Sequence, residues 1–488
     1  MKGNAANQWG PESGRNEALP LDADRRFTGR LVSIFGDNTG GTTILHYLVD
    51  LPGAGYGDFE YVVAGPVRSM TPVAPAASWH EREVHEQYGV EFIGHPHLRP
   101  LMRHSRFDSG LPSNGSTQEM EESQFLRVQG EGVCEIPVGP VHAGIIEPGH
   151  FRFSVVGDTV LHLQLRLFYT HKGTEKLFEG RVATDAVPIA ESVSGDNCFA
   201  HAVAYCQAVE GVHQAIVPPK ANAIRLIGLE LERLLAHIGD LGALCGDVGF
   251  AVPAAYCARI KEDLLQASAK IVGTRYWRGV AVPGGVRHEI GSADGRELKE
   301  SIRIAVEDFV GIAEQALRTP SLEDRFEGAG ILAPNRAADL AVVGPVARAC
   351  GIALDVRRDH PYGAYKNLNF DVPTWHYGDV MARARIRMME VHASARLLLD
   401  YLEALPAGPI WLPLPAISTG RAFAAVEAPR GELVYWLRVE EGKIARCHVR
   451  SPSFQNWPAL PFAVTGNIIA DFPLINKSFN LSYSGCDR

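Results

Sequence analysis

No two of the eight cysteines (Cys134, Cys198, Cys206, Cys245, Cys257, Cys350, Cys447 and Cys486) form a Cys-x-x-Cys pair. That excludes a zinc ribbon or an iron–sulfur cluster ligated by this chain alone, and thiols scattered in this way read as small buried hydrophobes. Long apolar runs are also missing: none approaches the roughly 18–20 residues needed to cross a bilayer. The opening segment Met1-Lys-Gly-Asn-Ala-Ala-Asn-Gln-Trp-Gly10 is polar and lacks the apolar stretch of a signal peptide. A cytoplasmic location is expected, compatible with docking onto membrane subunits. Positive charge is not in excess, at 47 Lys and Arg against 56 Asp and Glu, net -9. A nucleic-acid-binding surface is therefore not expected. No internal repeat is evident.

What is present suits a large folded protein. With 488 residues, 46% hydrophobic and 21% charged, the chain can bury a sizeable core and form two to four domains. Residues 1–25 are polar and rich in Gly, Pro and Asn, which predicts a disordered tail. Between 26 and 104 a small mixed domain is expected. Val32–Phe35, Thr43–Val49 and Phe59–Val63 read as strands, and Trp79 to Tyr88 as a charged helix stopped by Gly89. Residues 105–124, with Ser-Gly-Leu-Pro-Ser-Asn-Gly-Ser at 109–116, read as a linker. From 125 to 488 a larger, mainly helical domain with β-structure near both ends is expected, giving an α+β chain. Its first part, Phe125 to Phe168, alternates like strands. Then Ile224, Ile227, Leu231, Leu234, Leu235, Ile238 and Leu241 recur at helical spacing between Pro218 and Cys245. Further helices are predicted over about 298–317 and 378–402, and short strands over 420–449 with a turn at Pro429-Arg-Gly431.

Glu81-Arg-Glu83, followed by Gly89 and by His95-Pro-His-Leu-Arg99, resembles the signature of the 30 kDa-type subunit of respiratory complex I, a docking element without a cofactor. Read alone, the same residues describe an exposed charged helix and a turn. From about residue 131 onward a second set of blocks appears. It comprises Gly139-Pro-Val-His142, Glu147-Pro-Gly-His-Phe151, His171-Lys-Gly-Thr-Glu175, Phe199-Ala-His201, Glu230-Leu-Glu-Arg-Leu-Leu-Ala-His237, Val343–Arg348, Asp355-Val-Arg-Arg-Asp-His-Pro-Tyr362 and Glu427-Ala-Pro-Arg-Gly-Glu432. In this order they resemble the subunit type shared by complex I (its 49 kDa form) and membrane-bound hydrogenases. Both resemblances in one polypeptide are similar to the large subunit of formate hydrogenlyase and hydrogenase-4 complexes.

That resemblance implies four cysteine ligands for a nickel–iron centre. The corresponding positions here are Ser194, Asn197, Ser482 and Gly485. Soft thiolates hold such a centre, so no nickel–iron chemistry is expected. Cys198 and Cys486 stand one residue beyond two of these positions. A one-residue shift on a helix rotates a side chain by about 100°, so both are expected to be buried and inert. The chain ends at Asp487-Arg488, where the 49 kDa type also ends, so no C-terminal maturation is expected.

Several residues are candidates for other work. Glu175 matches a glutamate that the resemblance makes a proton carrier, a role that burial would support by raising its pKa. It equally reads as an ion-pair partner of Lys172 and Lys176. Arg357 and Arg358, with Asp359, could bind carboxylates or orient a polar substrate, or belong to a structural ion-pair network. Arg383, Arg387 and Glu390 share one helix face: a solvated face by default, a buried ion-pair network given the resemblance. Asp247 matches an aspartate that supports a quinone-binding histidine in complex I. That histidine is ambiguous here, with His142 and His150 as neighbours, and the quinone-binding tyrosine falls at Gly195. His237 reads as structural. His142, His150 and His201, with Ser194, Asn197 and Ser482, are taken as a candidate acceptor pocket. Electrons would arrive from a partner subunit carrying a 4Fe–4S cluster, and antiporter-like membrane subunits would be further partners, at the cytoplasmic face of the membrane. Three functions stay open: reduction of a quinone or other small acceptor coupled to ion transport, a non-enzymatic scaffold transmitting conformational change, and hydrogenase activity.

Overall fold

A computed structural model describes residues 27–103, 125–144, 146–416 and 419–488. The expected N-terminal tail at 1–25 and the linker at 105–124 lie outside the described residues.

The first unit is an antiparallel meander of Arg30–Thr39, Thr42–Leu51 and Gly55–Val62. The first two strands join through Gly40 and Gly41, both at positive φ, the backbone that a tight hairpin requires. Helix Ala77–Tyr88 follows and ends at Gly89, φ 70°, as its sequence predicts. One sheet face, with Leu31, Ile34, Leu45 and Tyr47, packs with Val84 of this helix. The other face, with Val32, Phe35 and Leu48, joins the main core of the chain. The helix is not the exposed charged element its composition describes. Glu81 is fully buried and accepts hydrogen bonds from Ser69 Oγ (2.6 Å), Met70 N (2.5 Å) and Thr71 Oγ1 (2.8 Å).

The second unit opens with an antiparallel sheet of Val133–Val138, His150–Val156 and Thr159–Arg166. Five long helices form its centre: Cys198–Val212, Pro219–Asp247, Ala251–Val272, Ser292–Leu317 and Val380–Glu403. A second meander, Gly420–Ala428, Gly431–Glu440 and Lys443–Arg450, follows them. Helix Pro219–Asp247 buries the predicted apolar stripe, and it also buries Arg225, Glu230, Arg233, His237 and Asp240. It is therefore enclosed on all sides, which an amphipathic pattern alone does not reveal.

The first unit docks on the second meander, the segment around His360 and the chain end through polar contacts. Arg30 Nη2 lies 2.6 Å from Glu432 Oε1, Arg438 Nε 2.7 Å from Asp37 Oδ2, His360 Nε2 3.0 Å from Asp50 Oδ1, and Arg488 Nη2 2.5 Å from Glu83 Oε1. Ser33 Oγ and His448 Nε2 meet at 2.8 Å.

Candidate functional site

A cavity of about 520 Å³ lies where five segments converge, within the size range of small-molecule sites. Val138, His142, Ile146 and Glu147 come from the hairpin between the first two strands of the second unit. Gly195 and Asp196 come from the loop before helix Cys198–Val212, and Asp247 is the last residue of helix Pro219–Asp247. Arg430 comes from the turn of the second meander. The remaining wall is helix Phe472–Phe479 with the following segment, including Lys477, Asn480, Leu481, Ser482 and Tyr483. Apolar and charged side chains alternate around it: Phe151, Phe472, Leu481 and Tyr483 against three acids, Glu147, Asp196 and Asp247, and two bases, Arg430 and Lys477.

Three of the four positions that the resemblance assigns to cysteine meet at one edge of this cavity. Ser194 Oγ and Ser482 Oγ are 2.9 Å apart. Ser482 also caps the terminal helix Tyr483–Asp487, its Oγ accepting the Gly485 N–H at 2.9 Å. A Cβ at Gly485 would stand 3.0 Å from Ser482 Oγ and 3.3 Å from Ser194 Oγ. Ser194 Oγ donates to Asp196 Oδ1 at 2.5 Å, and Asp196 Oδ2 lies 2.5 Å from Arg430 Nη1. The fourth position, Asn197, precedes helix Cys198–Val212. It is buried, and its Oδ1 has no hydrogen-bond partner among the described residues. Neither neighbouring thiol lines the cavity. Cys198 Sγ turns to the Tyr276 carbonyl at 3.4 Å, and Cys486 is fully buried. Burial pushes both thiols up, which suits buried, unreactive groups.

Of the other candidates, His142 and Asp247 belong to the cavity. His142 Nε2 donates to the Gly149 carbonyl at 2.8 Å. Partial desolvation by the wall raises the Asp247 pKa. His150 and His201 do not line it. His150 Nδ1 donates to the Gly139 carbonyl at 3.1 Å. His201 is fully buried against the Tyr435 hydroxyl at 2.8 Å, and burial pushes its pKa down to about 3.

Glu175 departs from the expectation of a raised pKa. Burial pushes its carboxyl up, but Arg446, His448 and Arg488 together outweigh this and hold it well below the usual range. Their nitrogens lie 2.7, 2.9 and 3.1 Å from its oxygens, and Val449 N donates to it at 2.9 Å. It is an ion-pair anchor, but not with the lysines its sequence neighbourhood suggests. Lys172 Nζ donates to the Ser192 and Val193 carbonyls, and Lys176 pairs with Glu179.

Arg357, Arg358 and Asp359 are not at the cavity either. Arg357 is buried between Asp355 (2.6 Å) and Glu230 (3.0 Å). Arg358 pairs with Asp359 near the surface, while Asp359 Oδ2 accepts the Asp355 N–H. All three sit in ion pairs or hydrogen bonds away from the cavity, as does His237, whose Nε2 meets Glu390 Oε2 at 2.8 Å. Arg383, Arg387 and Glu390 are buried together, so their shared face is an internal one.

Asp196, Arg430, Asn480, Lys477 and Glu147 were not singled out from the sequence. Glu147 and Arg430 lie inside the family blocks, and Asp196 and Asn480 lie near the positions that the resemblance assigns to cysteine, which is the available signal; Lys477 carries none.

The chain matches the family described as respiratory-chain NADH dehydrogenase, 49 Kd subunit, over residues 247–418 and 412–488. It matches the 30 Kd subunit family over residues 60–116. It is 35% identical over 441 residues to formate hydrogenlyase subunit 5 of Escherichia coli, covering 86% of this chain and 76% of that one. It is also 35% identical to hydrogenase-4 component G of the same organism, over 86% and 75%. Among solved structures, a chain of the membrane-bound sulfane sulfur reductase, an archaeal respiratory membrane complex, superposes with a TM-score of 0.69 at 26% identity, covering 73% of this chain and 99% of that one. The chain belongs to the family of complex I 49 kDa-type subunits that includes these hydrogenase-complex relatives, with a 30 kDa-type domain ahead of it in the same polypeptide.

Proposed function

We propose that this chain is the acceptor-reducing subunit of a membrane-associated oxidoreductase complex related to complex I and hydrogenase-4. A partner carrying a 4Fe–4S cluster delivers electrons, a quinone or other small acceptor takes them in the cavity, and antiporter-like membrane subunits couple the reaction to ion transport. The complex sits at the cytoplasmic face of the membrane. Relatives of this chain are subunits of a formate hydrogenlyase, a hydrogenase and, by structure, a sulfane sulfur reductase, so one scaffold serves different acceptors.

The observation that carries this reading is an acceptor-sized cavity beside a thiol-free ligand cluster. A nickel–iron centre needs four thiolates, whereas the donors here are two hydroxyls, a carboxamide and a glycine. That donor set does not fit the metal centre, and no step is assigned to one. A flat acceptor suits the aromatic and aliphatic part of the wall. Asp247, with its raised affinity for a proton, could deliver it to a reduced acceptor oxygen, and His142 Nδ1 could accept a hydrogen bond from it.

The test is reoxidation of the reduced partner cluster by soluble quinone analogues in the purified complex, compared with a variant whose cavity is filled. The position for filling is Gly195, where an added Cβ meets nothing closer than Arg278 Nη2 at 4.0 Å. Gly195→Phe should slow acceptor-dependent reoxidation while the complex stays assembled. Equal rates in both proteins would remove the acceptor reading and leave the scaffold.

A further inference from the structure

Helices Pro219–Asp247 and Val380–Glu403, with segment 344–359 and strand Gly420–Ala428, enclose a continuous network of charge. Its carboxylates are Glu230, Asp240, Asp355, Glu390 and Glu427, and its guanidiniums are Arg233, Arg348, Arg357 and Arg387; all nine are buried. Arg357 joins Asp355 to Glu230, and Arg233 lies 3.3 Å from Glu230. Arg348 reaches Glu390 (2.7 Å), Glu427 (2.9 Å) and Asp355 (3.4 Å). Arg387 holds Asp240 at 2.9 Å, one helical turn from His237, which holds Glu390.

Five negative groups face four positive ones, and a lone charge in such an interior is strongly disfavoured. Two further buried arginines, Arg383 beside Arg387 and Arg430 beside Asp240, are matched by Asp379 and Asp196, so one proton is needed for these nine groups to be neutral. His237 is poorly placed to carry it: Nε2 already donates to Glu390, while buried Nδ1 has no partner among the described residues. A proton on Nδ1 would leave an N–H unsatisfied. The proton therefore falls to a carboxylate. Glu230 receives Arg357, Arg233, Tyr365 and Ser394. Asp355 receives the Arg357 side chain twice and its backbone N–H. Glu390 is held by Arg348 and His237, and Asp240 by Arg387 and Asn480. Glu427 is the least well served. It accepts one bond from Arg348 Nη1 and one from Val356 N at 3.1 Å, and it shares that Nη1 with Asp355.

We propose that Glu427 is a buried proton-binding site, its occupancy set by Asp355 across the shared arginine. The charged groups facing it are Arg233 from the long helix, Arg348, Asp355 and Arg357 from segment 344–359, and, opposite it in the next strand, Glu432, which Arg30 and Arg450 pair. The Tyr362 hydroxyl accepts the Glu427 N–H at 3.1 Å. Burial first, then Asp355, pushes the Glu427 carboxyl up to about 7, while Glu230, Asp240, Asp355 and Glu390 are held low by their arginines. The network touches the cavity wall, because Asn480 donates to Asp240. Its charge state therefore bears on that wall whatever the cavity accepts.

Infrared titration of the purified complex tests this. The protein should show the carbonyl stretch of an un-ionised carboxylic acid, shifted in D2O and lost with a midpoint near 7. In Glu427→Gln the component that titrates near 7 should be missing, while the band of buried Glu232, whose carboxyl burial pushes up to about 8, stays. A wild type without the component near 7, or a variant that keeps it, overturns the assignment. Thermal unfolding supplies a second readout, since Gln mimics the protonated acid. The variant should match the wild type near pH 4, exceed it increasingly as pH rises to about 7, and keep that advantage above. A Glu427→Gln protein that fails to fold at pH 6 would show that the ionised carboxylate is required and would overturn the proposal as well.

Discussion

Ser194 Oγ and Ser482 Oγ, 288 positions apart in the chain, lie 2.9 Å from one another at the edge of the cavity. The loop before the first long helix and the cap of the short terminal helix Tyr483–Asp487 are joined by this hydroxyl pair, with Gly485 packed directly against it.

Gly485→Ala tests how closely this edge is packed. The new Cβ would press on both hydroxyls at 3.0 and 3.3 Å, and overpacking of this kind costs about 1–3 kcal/mol. The melting temperature should fall, read by calorimetry. An unchanged value would show that the edge is roomy.

Nickel should be absent from the purified complex, and iron should be present only in the amount the partner's cluster accounts for. Elemental analysis checks this. Stoichiometric nickel would contradict the thiol-free donor set.

Asp247→Asn removes the titratable group of the cavity wall and keeps its shape. General acid–base groups contribute roughly 10²–10⁴ in rate, so acceptor reduction should fall by at least about tenfold with assembly intact. A steady-state assay with a soluble quinone analogue reads the change.

Glu175→Gln should destabilise the chain, because Arg446, His448 and Arg488 lose the carboxylate they surround. Removing one member of a buried ion pair costs about 3–5 kcal/mol. The folded-state pKa of Glu175 lies below its unfolded value, so its stabilisation is present above pH 4.5 or so and disappears as pH falls through the folded pKa. The gap between wild type and variant in urea unfolding should therefore be wide at pH 7 and narrow in acid. A gap independent of pH would show that the carboxylate does not carry the effect.

Much of the fold is legible from pattern. The stripe from Ile224 to Leu241 marks the longest helix, Gly89 stops the helix before it, and Pro429-Arg-Gly431 marks the turn of the second meander. The ion pairs are not legible. Glu81, Arg383 and Glu390 look like solvated helix residues because local spacing cannot say what packs over a face. Glu175 illustrates the same limit: its anchors, Arg446, His448 and Arg488, lie more than 270 positions away, while the lysines beside it point elsewhere.

The sequence by itself determined the family, the order of the two units and the absence of thiols at Ser194, Asn197, Ser482 and Gly485, since these follow from residue identity and order alone. Only the tertiary structure decided which of the candidate residues share a cavity. It joined His142, Asp247 and Ser482, left His150, His201 and Arg357 apart, and turned Glu175 into an anchor. The physical reason is that burial and charge partners set a side chain's chemistry, and both arise from segments that meet only when the chain has folded.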